Sequence, residues 1–336
     1  MPPEPHPHPW YDRQHHTPGG GFQNLDPSMQ AASFSEVAPW LLRRAFRSAS
    51  HASPPVCAAD VEALRSPPPS LRVTWIGHAT LLLQWPGGTV LTDPIFSARA
   101  SPLPFAGPAR IPARPLAIDE LPSVDVVLLS HNHYDHLDAP SVRALRARFD
   151  PLFLAPLGVD AHLRGWGVER VVAADWWQYV DVDGWRFHCT PAQHFSARSL
   201  FDRNATLWAG WYVEPRGDAT APRLFFAGDT AYADHFATCR TRLGAPDVAC
   251  LPIGAYRPRR IMRPVHMNPE EAVQAFFDLG AAHFVPIHWG TFALTDEPLD
   301  EPPARLCARA ARHALTDRVH VLDVGASVEL AARTTD

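Results

Sequence analysis

The chain has 336 residues, 46% of them apolar, and a net charge of −5 with histidines neutral. That is enough apolar material for the core of one α/β sandwich with extensions, and the absence of any long basic stretch argues against a nucleic-acid partner. No apolar run approaches the ~20 residues needed to span a bilayer, so the expected setting is cytoplasmic.

Taken in chain order, residues 1–70 read as a leader and residues 71–336 as the folded domain. Residues 1–32 are rich in Pro, His and Gly, and read as a segment that wraps the domain or stays mobile. They carry no basic or apolar region of a secretory signal. His6, His8, His15 and His16 are read as solvated. Residues 33–47 suggest an amphipathic helix with Trp40, Leu41 and Phe46 on one side, flanked by Arg43, Arg44 and Arg47. The pattern suits either a helix packed on the domain or an interfacial helix in peripheral contact with the inner membrane surface. Residues 48–70, with two proline runs, read as a linker.

From Leu71, LRVTWI and TLLLQW are strand-like, and Gly87-Gly88 turns the chain into TVLTD. VDVVLLS (124–130) is a continuous apolar run of the buried-strand type, and residues 139–149 have helical character. PLFLAP, RVVAAD, the hairpin YVDVDGWRFHCT, LWAGWYV, RLFFAGD, DVACLPI, HFVPIHW and VHVLDV follow as strand candidates. A helix over 269–280 has clear start signals: Asn268 as cap, Pro269 in the first position, and Glu271 completing a capping box. Another helix is expected near 303–315. This order suggests sheet-on-sheet packing with helices outside.

Chemistry concentrates after VDVVLLS. His131, His133, Asp135 and His136 place four potential ligands in HNHYDH, where a loop leaving a strand end lets neighbouring side chains converge. Imidazole and carboxylate together suit zinc and other divalent first-row metals. The five cysteines are scattered without CxxC spacing, so they indicate neither a disulfide framework nor a thiolate site. His194, Asp229 and His288 each follow an apolar strand and are the best candidates to complete the set. Asp93 reads either as support for a ligand histidine or as a turn aspartate, and His78 either as a residue at the site's rim or as a turn histidine.

With HNHYDH, His194, Gly228-Asp229-Thr230 and His288 in this order, residues 71–325 resemble the metallo-β-lactamase superfamily. The resemblance implies an α/β fold in α+β layers, an αββα sandwich with two mixed β-sheets and outer helices. It implies two Zn2+ ions, with other divalent first-row metals admitted. His131, His133 and His194 would bind one ion and Asp135, His136 and His288 the other, with Asp229 and a hydroxide bridging them. WIGHATLLLQW, LTDPIFS, GPARIPARP, AQHFSAR, GAYRPR, HMNPEEAV and the leader's HHTPGGGFQN are further similar to the N-acyl-phosphatidylethanolamine-hydrolysing phospholipases D.

A site of two divalent cations, two carboxylates and a hydroxide would carry a charge of about +1, which suits an anionic phosphodiester. The expected function is therefore phospholipase D-type hydrolysis of an N-acylated phospholipid, with a phospholipid or small-molecule phosphodiester as partner and a homodimer left open. Asp135, Asp229 and His266 are the expected catalytic residues. His266 is placed at the site's rim, facing phosphate, with Arg257, Arg259, Arg260 and Arg263 adding positive charge nearby. Trp176, Trp177, Phe195, Phe201 and Trp208 offer material for an apolar groove or for the core. The alternatives are a same-fold hydrolase of a lactone, cyclic phosphodiester or β-lactam, and a metal-binding scaffold protein without turnover.

Overall fold

The computed structural model describes residues 2–45, 52–218 and 220–333. Its elements begin with β1 (His6–Pro7), α1 (Phe34–Ala45) and α2 (Val61–Arg65), followed by β2 (Leu71–Gly77), β3 (Thr80–Trp85), β4 (Gly88–Thr92) and β5 (Val126–Leu128). Then come α3 (Ala139–Phe149), β6 (Leu152–Pro156), α4 (Val159–Gly165), β7 (Val171–Ala174), β8 (Gln178–Val182) and β9 (Trp185–Thr190). The second half holds β10 (Gly210–Pro215), β11 (Leu224–Phe226), α5 (His235–Leu243), β12 (Val248–Pro252), α6 (Arg259–Met262), α7 (Pro269–Leu279), β13 (His283–Ile287), α8 (Glu301–Arg312) and β14 (Ser327–Leu330).

The strands form two seven-stranded sheets, in the orders β14-β2-β3-β4-β5-β6-β7 and β1-β8-β9-β10-β11-β12-β13. Both are mixed. In the first, β2, β3 and β4 run antiparallel and β4 to β7 parallel. In the second, β8 to β11 are antiparallel and β11 to β13 parallel. The two-residue period of a strand divides the side chains between two cores. Val73, Leu81, Leu83, Val126 and Leu128 of the first sheet meet Phe187, Trp211, Val213 and Phe226 of the second between the layers. The alternate residues Leu82, Leu91, Val127 and Phe153 pack outward on Val142 and Leu145 of α3 and on Val159 and Leu163 of α4. Burial on both faces explains why these strands read as continuous apolar runs.

Helix α7 starts as its sequence predicts. The Asn268 side chain accepts from the Glu271 N–H at 2.8 Å, and Glu271 accepts from the Asn268 N–H at 3.0 Å. VHVLDV differs from expectation: it makes only single bridges, Phe284 with Val319 and Val56 with Val324, and the closing strand is β14 instead. Beside β2 the open edge is taken by residues further on.

Residues before Leu71 are built into the sandwich. β1 pairs with β8, and the expected linker contains α2, whose Leu64 is buried. Helix α1 turns Trp40 inward against Ile261 and Met262, with its indole N–H on Asp296 at 2.8 Å. Leu41 and Leu42 face solvent. Trp40 and Leu41 therefore do not share one apolar side as expected, because consecutive helical residues point about 100° apart. Phe46 and Arg47 lie outside the described residues.

Candidate metal centre

The site lies where strands of both sheets end. His78 follows β2, Asp93 follows β4, His131 follows β5, Asp229 follows β11 and His288 follows β13. Loops leaving the carboxyl ends of strands have no ladder partners to satisfy, so their side chains can converge on a shared point. Two glycines permit the approach. A Cβ on Gly228 would lie 2.4 Å from the Ser130 side chain, and one on Gly254 would lie 2.1 Å from the His288 carbonyl oxygen. Only glycine lets these backbones come so close.

The HNHYDH segment closes into a helical turn, with the His136 and Leu137 amides donating to the His133 carbonyl. Arg198 holds the turn from outside. Its guanidinium donates to the carbonyls of Asn132 and Leu137 at 2.7 and 2.8 Å and lies 3.9 Å over the Tyr134 ring.

Two groups of donors result. In the first, His131 Nε2 is 2.7 Å from His133 Nδ1, which is 3.3 Å from His194 Nε2. His194 turns its other nitrogen, Nδ1, to the Val265 carbonyl at 2.8 Å, which leaves Nε2 facing its neighbours. In the second group, Asp135 Oδ2 lies 3.4 Å from His136 Nε2 and 3.3 Å from His288 Nε2. Asp229 Oδ2 sits between the groups, 3.2 Å from His136, 3.1 Å from His288 and 3.8 Å from His194. Every residue named as a ligand from sequence is thus in one cluster.

Asp93 supports the second group. Its carboxylate accepts from the Ser130 amide and hydroxyl and from His136 Nδ1, the last at 2.7 Å. The supporting reading of Asp93 therefore holds over the turn aspartate. His78 lies deeper than the rim: it is 1% exposed, and its Nε2 reaches Asp135 Oδ2 at 2.8 Å. Its backbone oxygen also receives the His288 amide at 3.0 Å, so His78 steadies two members of the cluster. Sequence reasoning did not assign Arg198, although AQHFSAR contains it, and it gave no role to Asn24, which lies in HHTPGGGFQN.

Burial pulls His131 well below the ordinary imidazole range, His133 to about 3 and His194 to about 4, keeping all three neutral with lone pairs to offer. Burial opposes protonation of His136 and His288 too. There the carboxylates outweigh it, Asp229 first, and lift His136 well above its usual value and His288 to about 9. Asp135 and Asp229 are pushed up by burial, but the facing imidazoles, His136 foremost, hold both well below the carboxylate range. Two buried carboxylates thus draw positive charge into their midst. The donors are all nitrogen and oxygen, each group lies within 4.8 Å, and Asp229 Oδ1 and His136 Nε2 are buried with no hydrogen-bond partner among the described residues. This chemistry fits divalent first-row cations.

His266 sits beside the cluster, its Nδ1 4.0 Å from Asp229 Oδ2 and its ring stacked 5.4 Å from that of His288. The arginines expected to lend it positive charge are engaged elsewhere. Arg257 pairs with Glu301, Arg259 and Arg263 with Glu271, and Arg260 with Glu36. A cation held by a carboxylate contributes little net field, so that stretch is not a free basic patch. Trp176, Trp177 and Trp208 are core residues, whereas Phe195 packs edge-on against the His133 ring at 4.6 Å and Phe201 is 96% exposed.

The family profile of the beta-lactamase superfamily domain matches residues 88–289. The chain belongs to this metallo-β-lactamase superfamily, and it is a metal-dependent hydrolase by fold and kinship. Within the superfamily it is similar to the N-acyl-phosphatidylethanolamine-hydrolyzing phospholipase D 1 of Caenorhabditis elegans, 36% identical over 70% of this chain and 68% of that one. The mitochondrial phospholipase D of the same description from Saccharomyces cerevisiae is 35% identical over 75% of this chain, which spans only 54% of the yeast protein. An uncharacterized protein of Mycobacterium tuberculosis is 44% identical over 87% of this chain and 78% of its own length. Among solved structures, the isothiocyanate hydrolase from Delia radicum gut bacteria matches with a TM-score of 0.62 at 24% identity, covering 78% of this chain and all of that one. At this identity it shares the fold alone.

Proposed function

We propose that the chain is a dinuclear zinc hydrolase of phospholipase D type, acting on N-acyl-phosphatidylethanolamine-like lipids. The observation that carries this reading is the position of Asp229 Oδ2 between two adjoining nitrogen-rich groups, supported by similarity to two phospholipases D of that specificity. When bound, two divalent ions would supply positive charge for a phosphoryl group and lower the pKa of a shared water toward neutrality.

His131, His133 and His194 would hold one ion, Asp135, His136 and His288 the other, and Asp229 both. Asp93 would keep a proton on His136 Nδ1, so that the proton given up on metal binding is the one on Nε2, whose lone pair then faces the ion. His266, next to Asp229, is placed to hydrogen-bond a phosphoryl oxygen or to pass a proton to the departing ethanolamine oxygen. In the overall reaction, water oxygen bonds to phosphorus, the phosphorus–ethanolamine oxygen bond breaks, and that oxygen takes up a proton. Phosphatidic acid and an N-acylethanolamine result.

No described helix is long and apolar enough to cross a membrane. Peripheral contact is supported by exposed apolar side chains: Leu41 and Leu42 on α1, Phe105, and Leu200 and Phe201 in the loop after His194. Phosphorus NMR of purified, zinc-loaded protein with N-acyl-phosphatidylethanolamine vesicles tests the reading. Growth of a phosphatidic acid signal is the expected result. No phosphodiester turnover, with hydrolysis of a lactone instead, would assign the site to the alternative reaction.

A further inference from the structure

The Pro- and His-rich leader touches the metal centre itself. Asn24 donates through Nδ2 to the His194 carbonyl at 2.8 Å and accepts at Oδ1 from the His194 amide at 3.1 Å. It thus pairs with the ligand's backbone as a neighbouring strand would. His194 has left β9 by this point, and both hydrogen bonds made by its own backbone go to Asn24. The Trp208 indole N–H also donates to Asn24 Oδ1, at 3.0 Å, setting the carboxamide's orientation from the far side. The adjacent Gln193 donates to the leader's Met29 carbonyl.

Asn24 is in turn held by a knot around Asp175. That carboxylate, 1% exposed, accepts from His15 Nε2 at 2.6 Å, His16 Nε2 at 2.8 Å, the Tyr11 hydroxyl at 2.8 Å and the Trp176 amide at 2.9 Å. Arg13 faces His16 Nδ1, and a guanidinium can only donate, so the His16 proton sits on Nε2 toward Asp175. The His15–His16–Asp175 group is therefore a satisfied hydrogen-bond knot rather than a cation site. His15 is itself 1% exposed and stacks on Trp176, which corrects its reading as solvated. From the knot the chain runs back to the site through Gln23, whose amide donates to the His15 carbonyl, and Phe22, whose amide donates to the Asn204 carbonyl.

We propose that Asn24 is a positioning residue for His194 and that the Asp175 knot fixes it there, making the N-terminal segment a working part of the metal centre. This rests on the dinuclear reading above. An imidazole whose backbone is unpinned spends less time with Nε2 aimed at its partners, and loss of such outer support typically lowers metal affinity ~10–100-fold.

The test is zinc titration of metal-stripped protein against a chromogenic chelator, for the parent chain, Asn24→Ala and Asp175→Asn. Asn24→Ala is expected to bind one of its two ions at least ~10-fold more weakly and the other as the parent does. Its melting temperature in chelator should fall modestly, because three hydrogen bonds of the metal-free fold are lost; weakening confined to one of the two ions separates a role at the metal from a general loss of folding. Asp175→Asn turns an NH2 group toward two of the four donors, so trypsin should cut at Arg13 faster and the same ion should weaken. Parent-like affinity for both ions in Asn24→Ala, or in an Asp175→Asn chain whose leader is demonstrably released, overturns the leader's role. A parent chain that takes up no zinc overturns the dinuclear reading with it.

Discussion

Asp93→Asn tests the support of the second donor group with the smallest change of shape. In the parent, Asp93 Oδ2 receives both the Ser130 hydroxyl and His136 Nδ1, while Oδ1 receives the Ser130 amide. An asparagine can keep its oxygen on the Ser130 amide, and its NH2 then faces His136 Nδ1. A donor there favours the imidazole tautomer with the proton on Nε2, the atom that faces Asp135 and Asp229. A protonated Nε2 has no lone pair for a metal. The expected loss is ~10–100-fold in affinity for the ion bound by His136, or about 1.4–2.7 kcal/mol. The metal-free fold also loses at least one buried hydrogen bond, which costs about 1–3 kcal/mol. Chelator competition reads the first effect, calorimetry the second, and nitrogen-15 NMR of the histidine rings the tautomer. Asp93→Asn with two tightly bound ions and His136 still protonated at Nδ1 would refute the reasoning.

Four further outcomes are expected. Asp229→Ala should weaken at least one ion and remove most turnover, as elemental analysis beside the phosphorus NMR assay will show; full activity with two ions would contradict the bridging role. His288→Ala should lose metal, whereas His266→Ala should keep both ions and slow turnover by ~10²-fold; metal loss in His266→Ala would make it a ligand, a role its 4.0 Å approach to Asp229 admits. The pair Leu41→Glu and Leu42→Glu should reduce sedimentation with anionic vesicles while sparing hydrolysis of a soluble phosphodiester, and unchanged sedimentation would exclude α1 from membrane contact. Zinc at ~100 times its dissociation constant should stabilise the stripped protein by about 2.7 kcal/mol, seen as a higher melting temperature; no shift would mean no binding to the native state.

Local sequence determined much of this protein. The apolar runs became strands because both faces of each sheet are covered, and α7 begins at Asn268 because its capping box closes within a single turn. HNHYDH announced a metal site because its ligand types are crowded into one turn, and the family pattern added His194, Asp229 and His288. Tertiary structure decided which residues support them. The carboxylate of Asp93 reads equally as a turn residue until β4 is laid beside β5, which brings it to Ser130 and His136. His78 reaches Asp135, and Asn24 reaches His194, only through the sheet order and the path of the leader. The same holds where expectation failed. The charges of Arg257 and Arg259 are plain in sequence, but the carboxylates that engage them come from α8 and α7. His15 looks solvated in a polar segment until Asp175 is placed before it. Secondary structure follows from neighbours along the chain, whereas these contacts join residues far apart in it, and their partners are set by strand order and register.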